Sequence, residues 1–195
     1  MYNKVELKEI LTELLKSPEN EYIEFKEAGN KYDMDKLGRY FSAVGNEATL
    51  HEKQYGWIIF GVKDKTHEVS GTNYCENDDF NKVKKQISDN TTDNVTFIEV
   101  YSFYFKDKRV IMFQVPAAIG TPINWKGYPY GRVGESIGPL EGRKIEQIKL
   151  TANYDWTRKV IDNATLEDLD KEAIKVARQQ FKIKHAAKQI ANEIH

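Results

Sequence analysis

Three carboxylates near the ends of two predicted strands are the residues best suited to chemistry. Glu19 and Glu24 lie around the start of a short alternating segment, 22–26, and Asp64 follows the apolar segment 55–62. If these two segments pair side by side, the carboxylates can converge at one end of a sheet. Three such ligands suit Mg²⁺ or Mn²⁺, which can activate water for phosphodiester cleavage. By spacing alone, Glu24 fits equally well on a solvated edge or in an ion pair with a base.

A second cluster combines bases with aromatic rings in the segment "NWKGYPYGRVGES". Its members are Trp125, Lys126, Tyr128, Tyr130, Arg132 and Ser136. Cations bind phosphates, and aromatic faces stack on unpaired bases. The alternative is that the aromatic rings fill the core and only the two bases are exposed.

The sequence lacks the common motifs for nucleotide binding and nucleophilic catalysis. It has no Walker loop, no dinucleotide fingerprint and no Gly-x-Ser-x-Gly elbow. The four histidines are scattered without metal-ligand spacing, and a histidine such as His51 is expected to be a surface or turn residue. Cys75 is the one cysteine, which excludes an internal disulfide and a cysteine-based zinc site.

Composition predicts a globular protein of the cytoplasm. With 195 residues, 40% of them hydrophobic, the chain is long enough for a sizeable core. No apolar run is long enough for a membrane span, and the N-terminus has no signal-peptide pattern. The net charge of −1 argues against a uniformly basic binder, so a polyanion would need a local basic patch.

Hydrophobic periodicity predicts an α+β fold: a mixed, largely antiparallel sheet flanked by helices, with a C-terminal helical extension. We expect helices at 4–16, 34–47, 78–89 and 142–150, and strands at 22–26, 55–62, 95–105, 109–116 and 128–134. The domain should cover 1–154. The remainder, 155–195, reads as a helical linker with a helix capped by Thr165 and Asp168, then a last helical stretch at 183–194.

The predicted tail carries many more bases than acids. These bases are Lys171, Lys175, Arg178, Lys182, Lys184 and Lys188. They fit a solvated helix face or a basic arm that lies along phosphates.

Three ordered motifs resemble the Schlafen/AlbA-like domain family, whose members are regarded as DNA-binding. "ENEYIEFKEA" is similar to its opening motif, "FSAVGNEATL…YGWIIFGVKDKTHEVSG" to its second and "YGRVGES" to its third. The matching positions are Glu19, Glu21, Glu24, Phe25, Lys26, Ser42, Ala43, Asn46, Gly61, Val62, Asp64, Gly71, Arg132, Gly134 and Ser136. One departure is the segment 47–55, expected to be an extended loop where the family commonly has a Gly-Gly pair.

The resemblance implies a context and two activities. Bacterial members are typically N-terminal domains of longer cytoplasmic proteins, either transcriptional regulators or RecG-like, so the tail would lead to further modules. In vertebrate Schlafen proteins a similar domain cleaves structured RNA with three acidic residues. At the corresponding motif positions this sequence has Glu19, Glu24 and Asp64, the same three residues that spacing suggests.

The sequence therefore supports three hypotheses. The leading one is a nucleic-acid-binding domain of a bacterial transcriptional regulator, with DNA preferred over RNA. Its expected contacts are Lys26, Trp125, Lys126, Tyr128, Tyr130, Arg132 and Ser136. The second is an Mg²⁺- or Mn²⁺-dependent nuclease. The third is a dimerisation or sensor domain, because the aromatic-rich strands 95–105 and 109–116 could offer an apolar patch to a second copy.

Overall fold

The structure is a computed structural model in which two units are distinguished. It describes residues 2–16, 20–77, 79–133, 136–153, 165, 168 and 170–184. The units are Met1–Tyr154 and Asp155–His195. The first unit has the predicted α+β fold, and the described part of the second contains a helix, as predicted.

The main sheet has four strands in the order β1-β2-β4-β3. They are β1 Ile23–Lys26, β2 Tyr55–Phe60, β3 Glu99–Phe105 and β4 Lys108–Pro116. β1 runs parallel to β2, while the β2–β4 and β3–β4 pairs are antiparallel. The first two strands therefore lie side by side, which is the condition for their carboxylates to converge. β2 is central and buried over most of its length, as its continuous apolar run predicts.

In the described residues of the first unit, a small antiparallel sheet and four α-helices accompany the main sheet. The small sheet consists of β5 Asn124–Trp125, β6 Tyr128–Val133 and β7 Ser136–Pro139. The helices are α1 Lys4–Lys16, α2 Met34–Leu50, α3 Asn81–Asp89 and α4 Gly142–Leu150.

The helices cover both faces of the main sheet. On one face Leu7 and Leu11 of α1 pack with Ile23 and Phe25. On the other, apolar residues of α2, α3 and α4 pack with the opposite sides of β2 and β4. Alternation along β1 therefore sends its apolar residues to α1 and leaves Glu24 on the α2 side.

Several boundaries differ from those predicted. α2 continues through Leu50, so the first part of the segment 47–55 is helix and not loop. Ala48 is fully buried, and this packing favours the extra turn. α3 begins at Asn81, and β3 begins at Glu99.

The helix of the second unit also begins later than predicted. It is α5, Lys171–Lys184, and its first turn is exposed. Asp170 caps this turn: its Oδ1 accepts hydrogen bonds from the backbone N–H groups of the second and third helical residues, at 2.9 and 3.1 Å. Thr165 instead pairs locally with Asp168, through a 2.8 Å bond from its backbone N–H. Most of the helix predicted at 183–194 lies outside the described residues.

Candidate nucleic-acid interface

The carboxylate in the first strand is buried and paired with two cations. Glu24 is 2% exposed, and it contacts both the Lys26 ammonium, at 2.6 Å, and the Arg132 guanidinium. A buried carboxylate is tolerated when cations compensate its charge. Because Arg132 belongs to β6, this contact joins the small sheet to the main one. The sequence left open whether Glu24 is a metal ligand, lies on a solvated edge or forms an ion pair, and the structure shows the ion pair.

Lys26 also brings Asp64 close to Glu24. Its Nζ lies 2.6 Å from a carboxylate oxygen of each residue. The turn after β2 makes this possible, because Gly61, at φ 92°, donates its N–H to the Lys26 carbonyl at 2.8 Å. Burial opposes the charge of Lys26, but the hydrogen bond to Asp64 and the electrostatic interactions with Tyr40, Asp64 and Tyr32 together raise the pKa of the ammonium.

The three-carboxylate metal site remains a prediction. Glu24 and Asp64 meet at one end of the parallel strand pair, as expected, but they share the Lys26 ammonium. Glu19 lies outside the described residues. Mg²⁺ or Mn²⁺ at this position would have to displace the Lys26 side chain, which is 20% exposed.

Two polar residues of α2 hold the small sheet in place. Asn46 donates from Nδ2 to the carbonyls of Ile123 and Tyr130, at 3.0 and 2.9 Å, and its Oδ1 accepts from Ile123 N–H at 2.8 Å. Ser42 Oγ donates to the Ile123 carbonyl at 2.5 Å and accepts from Tyr130 N–H at 3.0 Å. Both side chains are fully buried. The Ser-x-x-x-Asn spacing of the second motif thus fixes where β6 presents its side chains.

A groove beside this network combines cations with aromatic rings. It has a volume of about 400 Å³ and is lined by Lys26, Tyr32, Lys36, Arg39, Tyr40, Tyr130 and Ile137. Lys26 Nζ lies 5.1 Å from the centre of the Tyr40 ring, and the Arg39 guanidinium lies 5.7 Å from that of Tyr130. Burial raises the pKa of Tyr32, so its phenol stays neutral and can donate a hydrogen bond.

Trp125 belongs to the core, which corrects its predicted role as a stacking residue. It is 3% exposed, and its indole Nε1 donates to Asp35 at 2.8 Å. Lys126 remains on the surface, with 56% of its side chain exposed and its Nζ 3.0 Å from the same Asp35 carboxylate. The hydrogen bond from Trp125, with those from Lys126 and Arg39, lowers the pKa of Asp35 to about 2.

The other predicted contacts differ in accessibility. Tyr128 is 69% exposed, Ser136 is exposed and Tyr130 is half-buried in the groove. Only 9% of the Arg132 side chain is exposed, and its charge is directed at Glu24. Arg132 therefore supports the site through its buried ion pair with Glu24, whereas the exposed Tyr128 and Lys126 can contact a ligand.

Sequence reasoning missed five residues of the groove. They are Tyr32, Lys36, Arg39, Tyr40 and Ile137. Lys36, Arg39 and Tyr40 are spaced i, i+3, i+4 along α2, which places them on one face of the helix. That spacing was readable in the sequence, but the groove forms only because the small sheet lies against this face.

Comparison with known proteins now places the chain in a family. Residues 19–141 match the family described as Schlafen, AlbA_2, and the chain belongs to it. This membership fits a nucleic-acid-binding domain. No curated protein is similar enough to count as a match.

Several solved structures are similar to this one, among them the following two. The first is the DIP2311 protein from Corynebacterium diphtheriae, with 23% identity and a TM-score of 0.53 over 90% of this chain and 34% of that one. This chain thus spans about a third of that protein's length, and the likeness concerns the fold alone. The second is the N-terminal domain of an ATP-dependent DNA helicase RecG-related protein from Nitrosomonas europaea, with 22% identity and a TM-score of 0.43 over 70% of this chain and 91% of that one.

None of the helices in the described part of the chain has both the length and the apolar character needed to span a bilayer.

Proposed function

We propose that the first unit binds nucleic acid along the groove between α2 and β6, as part of a bacterial transcriptional regulator in the cytoplasm. The observation that carries the proposal is the alternation of cations and tyrosine rings around a groove of about 400 Å³. The preference for DNA over RNA comes from the family resemblance alone.

The exposed groups suggest how a strand would bind. Lys36 is exposed and Arg39 has 49% of its side chain exposed at the groove, and Lys126 pairs with the same carboxylate as Arg39. These bases suit phosphate contacts, which depend on salt because counterions are released. Tyr128, with its exposed ring, suits stacking on an unpaired base.

The test is a titration of labelled single-stranded DNA, duplex DNA and matched RNA, read by fluorescence anisotropy across a salt series. We expect DNA to bind more tightly than RNA, with affinity falling as salt rises. The double variant Lys36→Ala/Arg39→Ala should flatten the slope of log K against log salt by roughly 1.8 for duplex or 1.4 for a single strand, at about 0.9 and 0.7 per lost phosphate contact.

A matched control removes two charges elsewhere. Lys82→Ala/Lys85→Ala takes two exposed lysines from α3, which do not line the groove, and should leave the slope unchanged. If both double variants weaken binding equally, the ligand does not use the groove. If wild type shows no binding at low salt, the domain does not bind nucleic acid.

A metal-dependent nuclease is the second candidate, favoured by the meeting of Glu24 and Asp64. Asp64 is suited to the test because 57% of its side chain is exposed, so Asp64→Asn should fold normally. Incubation of tRNA and single-stranded substrates with Mg²⁺ or Mn²⁺ should give cleavage by wild type and none by Asp64→Asn or Glu24→Ala. Equal inertness of all three proteins would refute this candidate.

A homodimer is a further proposal, with the β3–β4 hairpin as its contact surface. Tyr104 of β3 is 65% exposed, and Ile98 just before that strand is 52% exposed. Light scattering at increasing concentration should then give twice the mass of one chain, and a constant monomer mass would contradict it.

A further inference from the structure

A second group of potential ligands lies at the C-terminal end of α2, away from the groove residues. One ligand atom each of Glu21, Glu47 and His51 lies within 4.8 Å of the others. Glu47 and His51 are four residues apart, one helical turn, so their side chains project on the same side of α2. His51 Nε2 is already 2.9 Å from Glu21 Oε2.

Glu47 is the member whose environment is unusual. It is fully buried, and its Oε1 accepts from the Arg132 N–H at 2.8 Å and from Lys144 Nζ at 2.7 Å. Its Oε2 is also buried, yet it has no hydrogen-bond partner among the described residues. A buried carboxylate oxygen without a partner is costly, and a carboxylate oxygen of Glu47 lies within 4.8 Å of one of Glu21. Two facing carboxyl groups need a proton or a cation between them.

The local charge favours a cation. Lys144 Nζ lies 2.7 Å from Glu47 and 3.9 Å from Glu21, but it provides one positive charge for two carboxylates. Lys144 has 22% of its side chain exposed, so it can move towards solvent when a second cation enters.

We infer that Glu21, Glu47 and His51 form a binding site for a first-row transition-metal ion, with Zn²⁺ as the expected occupant. Two carboxylate oxygens and an imidazole nitrogen are ligands that zinc accepts, whereas Mg²⁺ and Ca²⁺ prefer oxygen alone. The entry side is open, because Glu21 and His51 are 37% and 42% exposed. Three protein ligands leave a fourth position for water or a substrate oxygen.

The test is a titration of the metal-free 195-residue chain with Zn²⁺, read by competition with a chromophoric chelator and by the shift in Tm. We expect one site, a raised Tm and no competition from millimolar Mg²⁺. His51→Gln and Glu21→Gln should each weaken Zn²⁺ binding by at least about tenfold. Removal of a residue that only supports a metal ligand already lowers metal affinity by about that factor, and removal of a ligand should cost no less. Both residues are partly exposed, so these variants remain informative if Glu47→Gln fails to fold. Lys144→Met should tighten binding, because the competing ammonium is gone.

Other histidines serve as controls. His67→Gln, and the double variant His185→Gln/His195→Gln, should leave the affinity unchanged. The inference is overturned if wild type binds no Zn²⁺, if binding is lost with the double variant and kept with His51→Gln, or if millimolar Mg²⁺ displaces the zinc. Failure to bind metal would leave the salt-dependent binding of nucleic acid untouched, so the two proposals are tested separately.

Discussion

Replacing Asn46 by alanine should destabilise the first unit strongly and weaken nucleic-acid binding with it. The variant leaves the Ile123 N–H and the Tyr130 carbonyl without their side-chain partner. The Ile123 carbonyl keeps its bond from Ser42. A buried polar group that loses its partner costs about 1–3 kcal/mol, so the two groups together predict a loss of roughly 2–6 kcal/mol. That is a large part of the 5–15 kcal/mol, roughly, that stabilises a typical domain.

Urea denaturation of wild type, Asn46→Ala and Asn46→Asp measures this loss. The aspartate keeps an acceptor for Ile123 N–H but turns a carboxylate towards two carbonyl oxygens, so it should be at least as damaging as alanine. Asn81→Ala, at the exposed start of α3, serves as the matched control and should change stability by no more than about 0.5 kcal/mol.

Two results would refute the reasoning. A loss below about 1 kcal/mol for Asn46→Ala would mean that water or a local shift replaces its bonds at little cost. An aspartate variant clearly more stable than the alanine variant would show that the donors of Asn46 do not matter. Binding should be measured where each variant is still folded. Under those conditions a weakened affinity would indicate that β6 is displaced, and not that the protein has unfolded.

The remaining predictions concern Asp35 and Gly38. The pKa of Asp35 is about 2, below its ordinary 3.8. The hydrogen bond from Trp125 and the ion pairs with Lys126 and Arg39 therefore stabilise the fold above pH 3.8, and this contribution is lost as pH falls from 3.8 towards 2. The Tm difference between wild type and Asp35→Asn should therefore shrink across that window, and a constant difference would contradict it. Gly38→Ala would bring a methyl group 2.1 Å from the Trp125 ring and should cost about 1–3 kcal/mol in urea denaturation. Gly29→Ala, with no atom within 4 Å, should be neutral, and equal effects of the two would disprove the steric argument.

Much of the fold could be predicted because its signals are local. The spacing of Asn3 and Glu6 is that of a capping box, and the box forms at the start of α1, with Asn3 N–H donating to Glu6 Oε2 at 2.7 Å. The apolar run of 55–62 indicates a central strand, and β2 is one. Alternation and helical periodicity report which face each element buries, and burial is the dominant favourable contribution to folding.

The candidate site was less predictable because its contacts are distant in sequence. The sequence left open whether Trp125 stacks on a ligand or fills the core, and in the structure it fills the space beside Gly38, since glycine leaves room for the ring. The segment 47–55 was expected to be loop, which concealed that Glu47 and His51 share one side of a helical turn. Neither outcome follows from the local pattern alone.

The sequence by itself determined the order of the main helices and strands, the burial of β2 and the family to which the chain belongs. Only the tertiary structure decided how the charges are paired. Glu24 is neutralised by Arg132, 108 positions along the chain, and Glu47 by Lys144, 97 positions along. Such pairs depend on the register and placement of the small sheet and α4 against α2, and those are set by core packing rather than by any local signal.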